Sequence, residues 1–373
     1  MSRFNFQLAT RSDDAQLRKL LAKTPMDGDI SLAFAREPHF FDAAELEGDT
    51  IDIGVVRDRT TGEIVGMGSR SIGFRYVNGD RVPVGYLGGL RLEGQHRGRA
   101  GLLARGYQFL RRLHTDGRAS YYLTTIAEQN VAAVSVLCSR RAGLPVYRPW
   151  GRYHTFVLSS KKWPPRFTSR DRSIEIRPAQ AGDRSEIVRF LNEYGPRRQF
   201  FPVYETKDLF SDAGKLKGLQ PEDVFLAVDR GDIVGTIGSW NQRAFKQTVV
   251  HSYRGWIRTL RPLHNAWAAV VHQPQLPAVG KSIDACSAAI PVVRDDDVGI
   301  FEQLLRAAVQ RMARQHCSML LVGLHENDPL LTFVRRHAGR EYVTRVYLVH
   351  WPDEAPPVER LSVRIPYLEL GCL

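Results

Sequence analysis

Between Glu93 and Gly106 the chain reads EGQHRGRAGLLARG. Gly98, Ala100 and Gly101 place small side chains at the entry to an apolar-periodic stretch, flanked by His96, Arg97, Arg99 and Arg105. A helix start exposes unpaired N–H groups and carries about half a positive charge, so it accepts an anion readily. Small side chains leave those amides reachable, and Arg97 and Arg99 can add charge-assisted bonds to phosphate oxygens. The chemistry requested is a dianion laid along a backbone, which a pyrophosphate satisfies. Metal chemistry is not written here. Cys138, Cys286, Cys317 and Cys372 are scattered without a CxxC pair, and the eleven histidines include no HExxH. Unpaired cysteines fit a reduced compartment.

The elements that must hold this loop follow from periodicity. A strand is expected near Phe4–Ala9 and a helix over Asp13–Lys23, followed by a partly helical, irregular segment from Pro25 to Leu46. A hairpin spans Ile51–Phe74, and a strand covers Val82–Leu92 just before the loop. The helix from Gly98 to His114 puts Leu102, Leu103, Gly106, Leu110 and Leu113 on one side. A strand over Tyr121–Ala127, a helix over Val131–Arg141 and a last hairpin over Val146–Leu158 complete this half. Strands that alternate with helices and then return as a hairpin imply a mixed sheet.

In that strand–loop–helix setting, QHRGRA (Gln95–Ala100) has the form Q-x-x-G-x-A and resembles the acetyl-CoA loop of the GNAT N-acetyltransferase family. The resemblance implies an α/β (α+β) fold with a mixed, mostly antiparallel sheet flanked by helices. It implies that Gln95, His96, Arg97, Gly98, Arg99, Ala100 and Gly101 hold the pyrophosphate of acetyl-CoA. It also implies that Leu90, Arg91 and Leu92, on a bulged strand, pair with the pantetheine arm. Asn130 and Ala133 match the family's Asn at the next helix start and the Ala three residues later, and Ala142–Tyr147 (AGLPVY) matches the usual helix ending. The implied activity is N-acetyl transfer by direct attack of an amine, with a backbone N–H holding the oxyanion where two parallel strands part. The chain departs from the family where many relatives carry a proton-donating Tyr, seven residues after the Asn; Leu137 stands there. Cys138, alternatively a buried structural thiol, and Tyr147 are the remaining donors. Glu128 is the candidate base, alternatively a first-turn helix residue, with a water chain as the other route for the proton.

The pattern occurs twice. DDAQLRKLL (Asp13–Leu21) is echoed by DRSEIVRFL (Asp183–Leu191), and DRTTGEIVGMGS (Asp58–Ser69) by DRGDIVGTIGS (Asp229–Ser239), both at an offset of about 170 residues. EQNVAAVSVL (Glu128–Leu137) is answered by ENDPLLTFV (Glu326–Val334). We therefore expect two tandem GNAT-like domains, 1–160 and 173–352, a linker at 161–172, and a tail at 353–373. In the second copy the loop reads RDDDVGIF (Arg294–Phe301). Asp295, Asp296 and Asp297 would repel a pyrophosphate but cap a helix well, so that copy is expected to bind no coenzyme. An aromatic, basic insertion, Arg254–Ser282, is expected either to wall the acceptor pocket or to pack between the halves. Asp27 and Asp29 could hold a substrate ammonium, or simply form a turn.

The 373 residues, 43% hydrophobic and 25% charged, suit two globular domains. Net charge is +12, yet no nucleic-acid module accompanies it, so no DNA partner is expected. No apolar run of about 18 residues exists and the first residues carry no apolar signal core; no membrane partner and a cytoplasmic location are expected. The expected acceptor is a small-molecule or peptide amine, and the expected state a monomeric pseudo-dimer or a homodimer. Two other readings remain open: an aminoacyl transferase using aminoacyl-tRNA, and a non-catalytic acyl-CoA-binding module.

Overall fold

A computed structural model describes residues 2–98, 100–139, 143–159, 174–270, 275–354 and 357–373. In the first half β1 (Phe4–Leu8) leads into α1 (Asp14–Lys23), which buries Leu17, Leu20 and Leu21 at helical spacing. Its entry is fixed by a reciprocal turn in which Asp13 Oδ2 accepts from Thr10 N at 2.9 Å. The second half repeats the device: Asp183 Oδ2 accepts from Gln180 N at 2.7 Å, ahead of α5 (Arg184–Tyr194). The segment expected to be irregular contains β2 (Ile30–Ala35) and a short α2 (Phe40–Ala44). β3 (Thr50–Asp58), β4 (Ile64–Val77) and β5 (Asp80–Leu92) form a meander. Asn78 and Gly79, both at positive φ, make the tight turn between the last two. α3 (Ala100–His114), β6 (Tyr122–Ala127), α4 (Val131–Leu137) and β7 (Val146–Ser159) follow.

The second half runs through β8 (Ile174–Pro178), α5, β9 (Phe201–Pro202), β10 (Val224–Asp229), β11 (Asp232–Trp240) and β12 (Gln247–Tyr253). It continues with α6 (Gly255–Val270), β13 (Ala285–Val293), α7 (Val298–Arg314), β14 (Met319–His325), α8 (Leu331–His337) and β15 (Arg340–His350). α7 buries Ile300, Phe301, Leu304, Leu305, Ala308, Val309 and Met312 in one stripe against the sheet.

One sheet carries both halves, in the order β1-β3-β4-β5-β6-β15-β7-β14-β13-β11-β10-β8, with β9 added beside β4. β2 and β12, one from each half, pair separately. Only β5 with β6 and β13 with β14 run parallel among the described strands. The centre differs from two independent domains placed side by side. The last strand of each half crosses over: β15 pairs with β6 of the first half, and β7 pairs with β14 of the second. β7 and β15 then pair with each other. The hairpin expected over Val146–Leu158 is instead this single long strand. The tail packs back: Tyr367 and Leu368 are buried, and Pro366 bridges to Gln199.

Candidate active site

The parallel pair in the first half is brief. Gly85 opposes Tyr122 and Tyr86 opposes Leu123, and beyond them β5 and β6 part. Thr124 Oγ1 donates to Leu87 O at 2.7 Å, and Tyr86 Oη shares a hydrogen bond of 2.8 Å with Thr125 Oγ1, so side chains brace the mouth of the gap. On its other edge β5 carries a bulge. Ser69 opposes Gly88 and Met67 opposes Arg91, which leaves Gly89 and Leu90 together across from Gly68. Gly89 has φ +60°, a conformation that glycine takes at little cost. Among the described residues no side chain reaches the amides of Gly89 and Leu90.

β5 then delivers the chain to the loop. Gly98 has φ +81°, and a Cβ placed on Gly94, Gly98 or Gly101 would meet no atom within 4 Å. The turn before α3 therefore presents backbone to open space. Arg97 is exposed beside it. The Arg91 guanidinium is pulled below its usual range by burial and then by Arg36 and Arg97, so three cations converge here. Gln95 is exposed and donates to Glu93 Oε2 at 3.1 Å. His96 departs from the expectation: it is 3% exposed and lies edge-on to Phe4 at 5.4 Å, so its ring is core and not an anion ligand. Arg99 lies outside the described residues, as do Ala142 and the side chain of Ala100. Asn130 Oδ1 accepts from Ala133 N at 3.1 Å and caps α4, which joins the Asn130–Ala133 pair but commits that oxygen.

The acid–base candidates are distributed unevenly. Glu128 accepts from Arg345 at 2.8 and 3.0 Å and from Arg152 at 3.1 Å. Those two arginines hold its carboxyl below the usual range, which works against proton acceptance. Tyr147 Oη is tied to Tyr107 Oη, and burial raises both phenols. Burial likewise raises the Cys138 thiol, whose partner is Tyr347 of the crossed-over β15. Leu137, at the place of the family tyrosine, is buried.

Sequence reasoning missed a group on the opposite side of the bulge. Glu47 follows α2; its Oε2 accepts from Ser69 Oγ at 3.0 Å, and Arg36 pairs with its other oxygen. Ser69 Oγ lies 3.2 Å from where a Cβ on Gly88 would stand and 3.5 Å from one on Gly89. A carboxylate is thus held beside the bulge by the Ser69 hydroxyl on one oxygen and Arg36 on the other. Nearby, Lys246 Nζ donates to Gly371 O at 3.0 Å and Leu373 O at 2.6 Å, and burial lowers its ammonium to about 8. The weak sequence signal is Ser69 itself, in the GMGS that repeats as TIGS. Asp27 is engaged by Arg254 at 2.6 Å, and Asp29 O accepts from Arg254 N.

The second half preserves this frame and closes it. β13 and β14 pair only from Ala285 to Ser287, and the bulge falls at Ile290 and Pro291, opposite Ile237. Ile290 takes φ +44°. Pro291 stands where Leu90 stands and has no N–H. The amide of Ile290 donates to Glu369 Oε2 at 3.0 Å, an oxygen that also accepts from Tyr367 Oη at 2.7 Å and Tyr204 Oη at 3.2 Å. Asp297 caps α7 by accepting from Ile300 N at 2.9 Å, while Asp295 and Asp296 pair with Arg197 and Arg198.

No protein-family model and no curated protein matches the chain. Solved structures do. N-myristoyltransferase of Saccharomyces cerevisiae with bound myristoyl-CoA is similar at 14% identity and TM-score 0.60, over 99% of this chain and 90% of that one. A GCN5-related N-acetyltransferase from Sphaerobacter thermophilus is similar at 14% identity and TM-score 0.58, over 100% and 99%. The glucosamine N-acetyltransferase region of a fungal multi-domain GH3 β-N-acetylglucosaminidase is similar at 13% and TM-score 0.59, over 93% of this chain and 38% of that one. The chain has the fold of GCN5-related N-acetyltransferases.

Proposed function

We propose that this protein is an acyl-CoA-dependent N-acyltransferase whose first half alone is catalytic, with acetyl-CoA as donor and a small-molecule or peptide amine as acceptor. One observation carries the reading: in the first half two parallel strands part beside a bulge whose amides no described side chain reaches, whereas a side chain of the chain itself takes the matching amide in the second. Fold neighbours solved with an acyl-CoA support it. The backbone of Leu90–Leu92 pairs with the pantetheine arm, and Arg97 with the amides from Gly98 to Gly101 takes the pyrophosphate; Arg99 joins them by sequence. The thioester oxygen lies toward the Gly89 and Leu90 amides, which stabilise the charge that develops on it.

A neutral amine attacks the carbonyl carbon, a C–N bond forms and the C–S bond breaks. The ammonium proton passes to Glu47, directly or through water, and the leaving thiolate takes a proton from Cys138, backed by Tyr347. Arg91 and Arg97 suit a polyanionic donor, while Arg36 pairs with Glu47. The four unpaired cysteines suit the cytoplasm. The joined β7 and β15 make a pseudo-dimer within one chain. Calorimetry with acetyl-CoA tests the assignment, with one molecule bound per chain expected; none, or two, contradicts it. Thiol release across a panel of amines then tests turnover.

A further inference from the structure

Helix α6 belongs to the basic insertion, which the reaction above leaves unused. It buries only Ala268 fully, while Ile257, Arg261, His264 and Asn265 make a half-buried inner side. Asn265 ties that side to the returning chain: its Oδ1 accepts from Leu276 N at 2.8 Å, and its Nδ2 donates to Leu276 O at 2.9 Å. Another side carries Trp256, Leu260, Leu263, Trp267 and Val270, from 44% to 78% exposed. Intervals of three and four residues align them in one stripe, about 20 Å long. Every other described element exposes at most one large apolar residue, so this stripe is an exception to the rest of the surface. From Arg254 to Ile283 there is no carboxylate, while Arg254, Arg258, Arg261 and Lys281 are cations.

We propose that α6 is an interfacial anchor, laying Trp256, Leu260, Leu263, Trp267 and Val270 into the outer layer of an anionic lipid bilayer. Tryptophans near both ends of the stripe suit the headgroup boundary. Arg258, exposed, lies on a side of the helix away from the stripe and is free to meet headgroups when the apolar side is immersed. Net charge +12 adds long-range attraction to an anionic leaflet. A second copy of the chain fits less well. Pairing α6 with itself brings two acid-free cationic segments together, and one helical stripe covers less than the roughly 1,200 Å² of a stable interface. The contact is peripheral, since no described helix is long and apolar enough to cross a membrane. The expectation of no membrane partner rested on spanning segments, and this stripe is not one.

The test uses the full chain and vesicles of phosphatidylcholine with phosphatidylglycerol, against vesicles of phosphatidylcholine alone. Flotation with the anionic vesicles is expected, with a blue shift of tryptophan emission. The triple substitution Trp256→Ser, Leu263→Ser, Trp267→Ser removes exposed side chains only and should weaken partition by about tenfold or more. Arg258→Glu with Lys281→Glu should weaken it as well, and added salt should reduce binding of the parent chain. Absence of flotation at low salt overturns the proposal, as does equal flotation of the triple variant. Two further results overturn it: a self-association that the triple variant abolishes, and an emission shift on adding acetyl-CoA without vesicles, which would make α6 a lid.

Discussion

Replacing Leu90 by proline would write the second half's bulge into the first. Leu90 falls in the register gap between the Ser69–Gly88 and Met67–Arg91 pairs, and Pro291 falls in the same gap of its own half. The residue before it already has positive φ, +60° at Gly89 and +44° at Ile290, so a backbone of this shape accepts proline. The Leu90 side chain is 48% exposed, so little apolar burial is lost and stability should change by less than about 1 kcal/mol. On the proposed reading, what disappears is one N–H donor to the developing oxyanion. Loss of one such donor costs about 2.7–4 kcal/mol, or about 10²–10³ in kcat. Leu90→Ala keeps the amide and should stay within about threefold of the parent enzyme. The assay is thiol release under saturating acetyl-CoA, with thermal melting as the check on folding. A folded Leu90→Pro enzyme as fast as Leu90→Ala would refute the oxyanion assignment.

Glu47→Gln should lower kcat by about 10²-fold or more with acetyl-CoA affinity in calorimetry unchanged, whereas Glu128→Gln, already held by two arginines, should cost less than about tenfold. Gly98→Val adds strain of about 1–2 kcal/mol and fills the open space before α3; coenzyme affinity should fall about tenfold or more, while Gly231→Val, also strained, at φ +95° in the β10–β11 turn of the second half, should leave it unchanged. Arg70, 1% exposed, pairs with Asp116 and Asp52 and donates to Tyr122 Oη at 3.1 Å; Arg70→Met should cost about 3 kcal/mol in urea unfolding. Residues 1–160 expressed alone should fail to give a folded monomer by gel filtration and circular dichroism, and co-expression with 173–373 should restore it, because β6 lacks its partner β15 without the second half.

The loop and its helix were legible because both are local. Periodicity marks α3, small residues mark its start, and the resemblance places a bulged strand at Leu90–Leu92, one residue beyond Gly89. His96 was misread because spacing does not say which way a ring turns, and here it turns onto Phe4. Val146–Leu158 reads as a hairpin, yet it is one strand, and its Gly151, at φ +105°, lies where the β7–β15 register shifts. A Cβ there would come within 2.4 Å of His325 Nε2, so close approach, not reversal, requires the glycine. Glu47 was invisible since its role depends on how α2 docks over β4. The crossing of β7 and β15 was equally so, because a strand pattern names its faces and not its neighbours.

The two halves differ in how they satisfy one shared requirement. Each has a bulge that breaks the ladder register at the mouth of a parallel pair, and a buried donor without an acceptor is costly. In the second half the chain answers from within: proline deletes one donor, and Glu369 accepts from the other while two tyrosines neutralise its burial. Burial still raises that carboxyl above its usual range, so the plug is held by its hydrogen bonds and not by a charge partner. In the first half the same place is left to whatever enters between β5 and β6. An entrant that supplies an acceptor there, and phosphates to the turn at Gly98, completes the hydrogen-bonding of the first half as Glu369 does for the second. On the proposed reading, the copy without a side-chain acceptor at its bulge is the one that turns over, because a departing ligand frees its amides again.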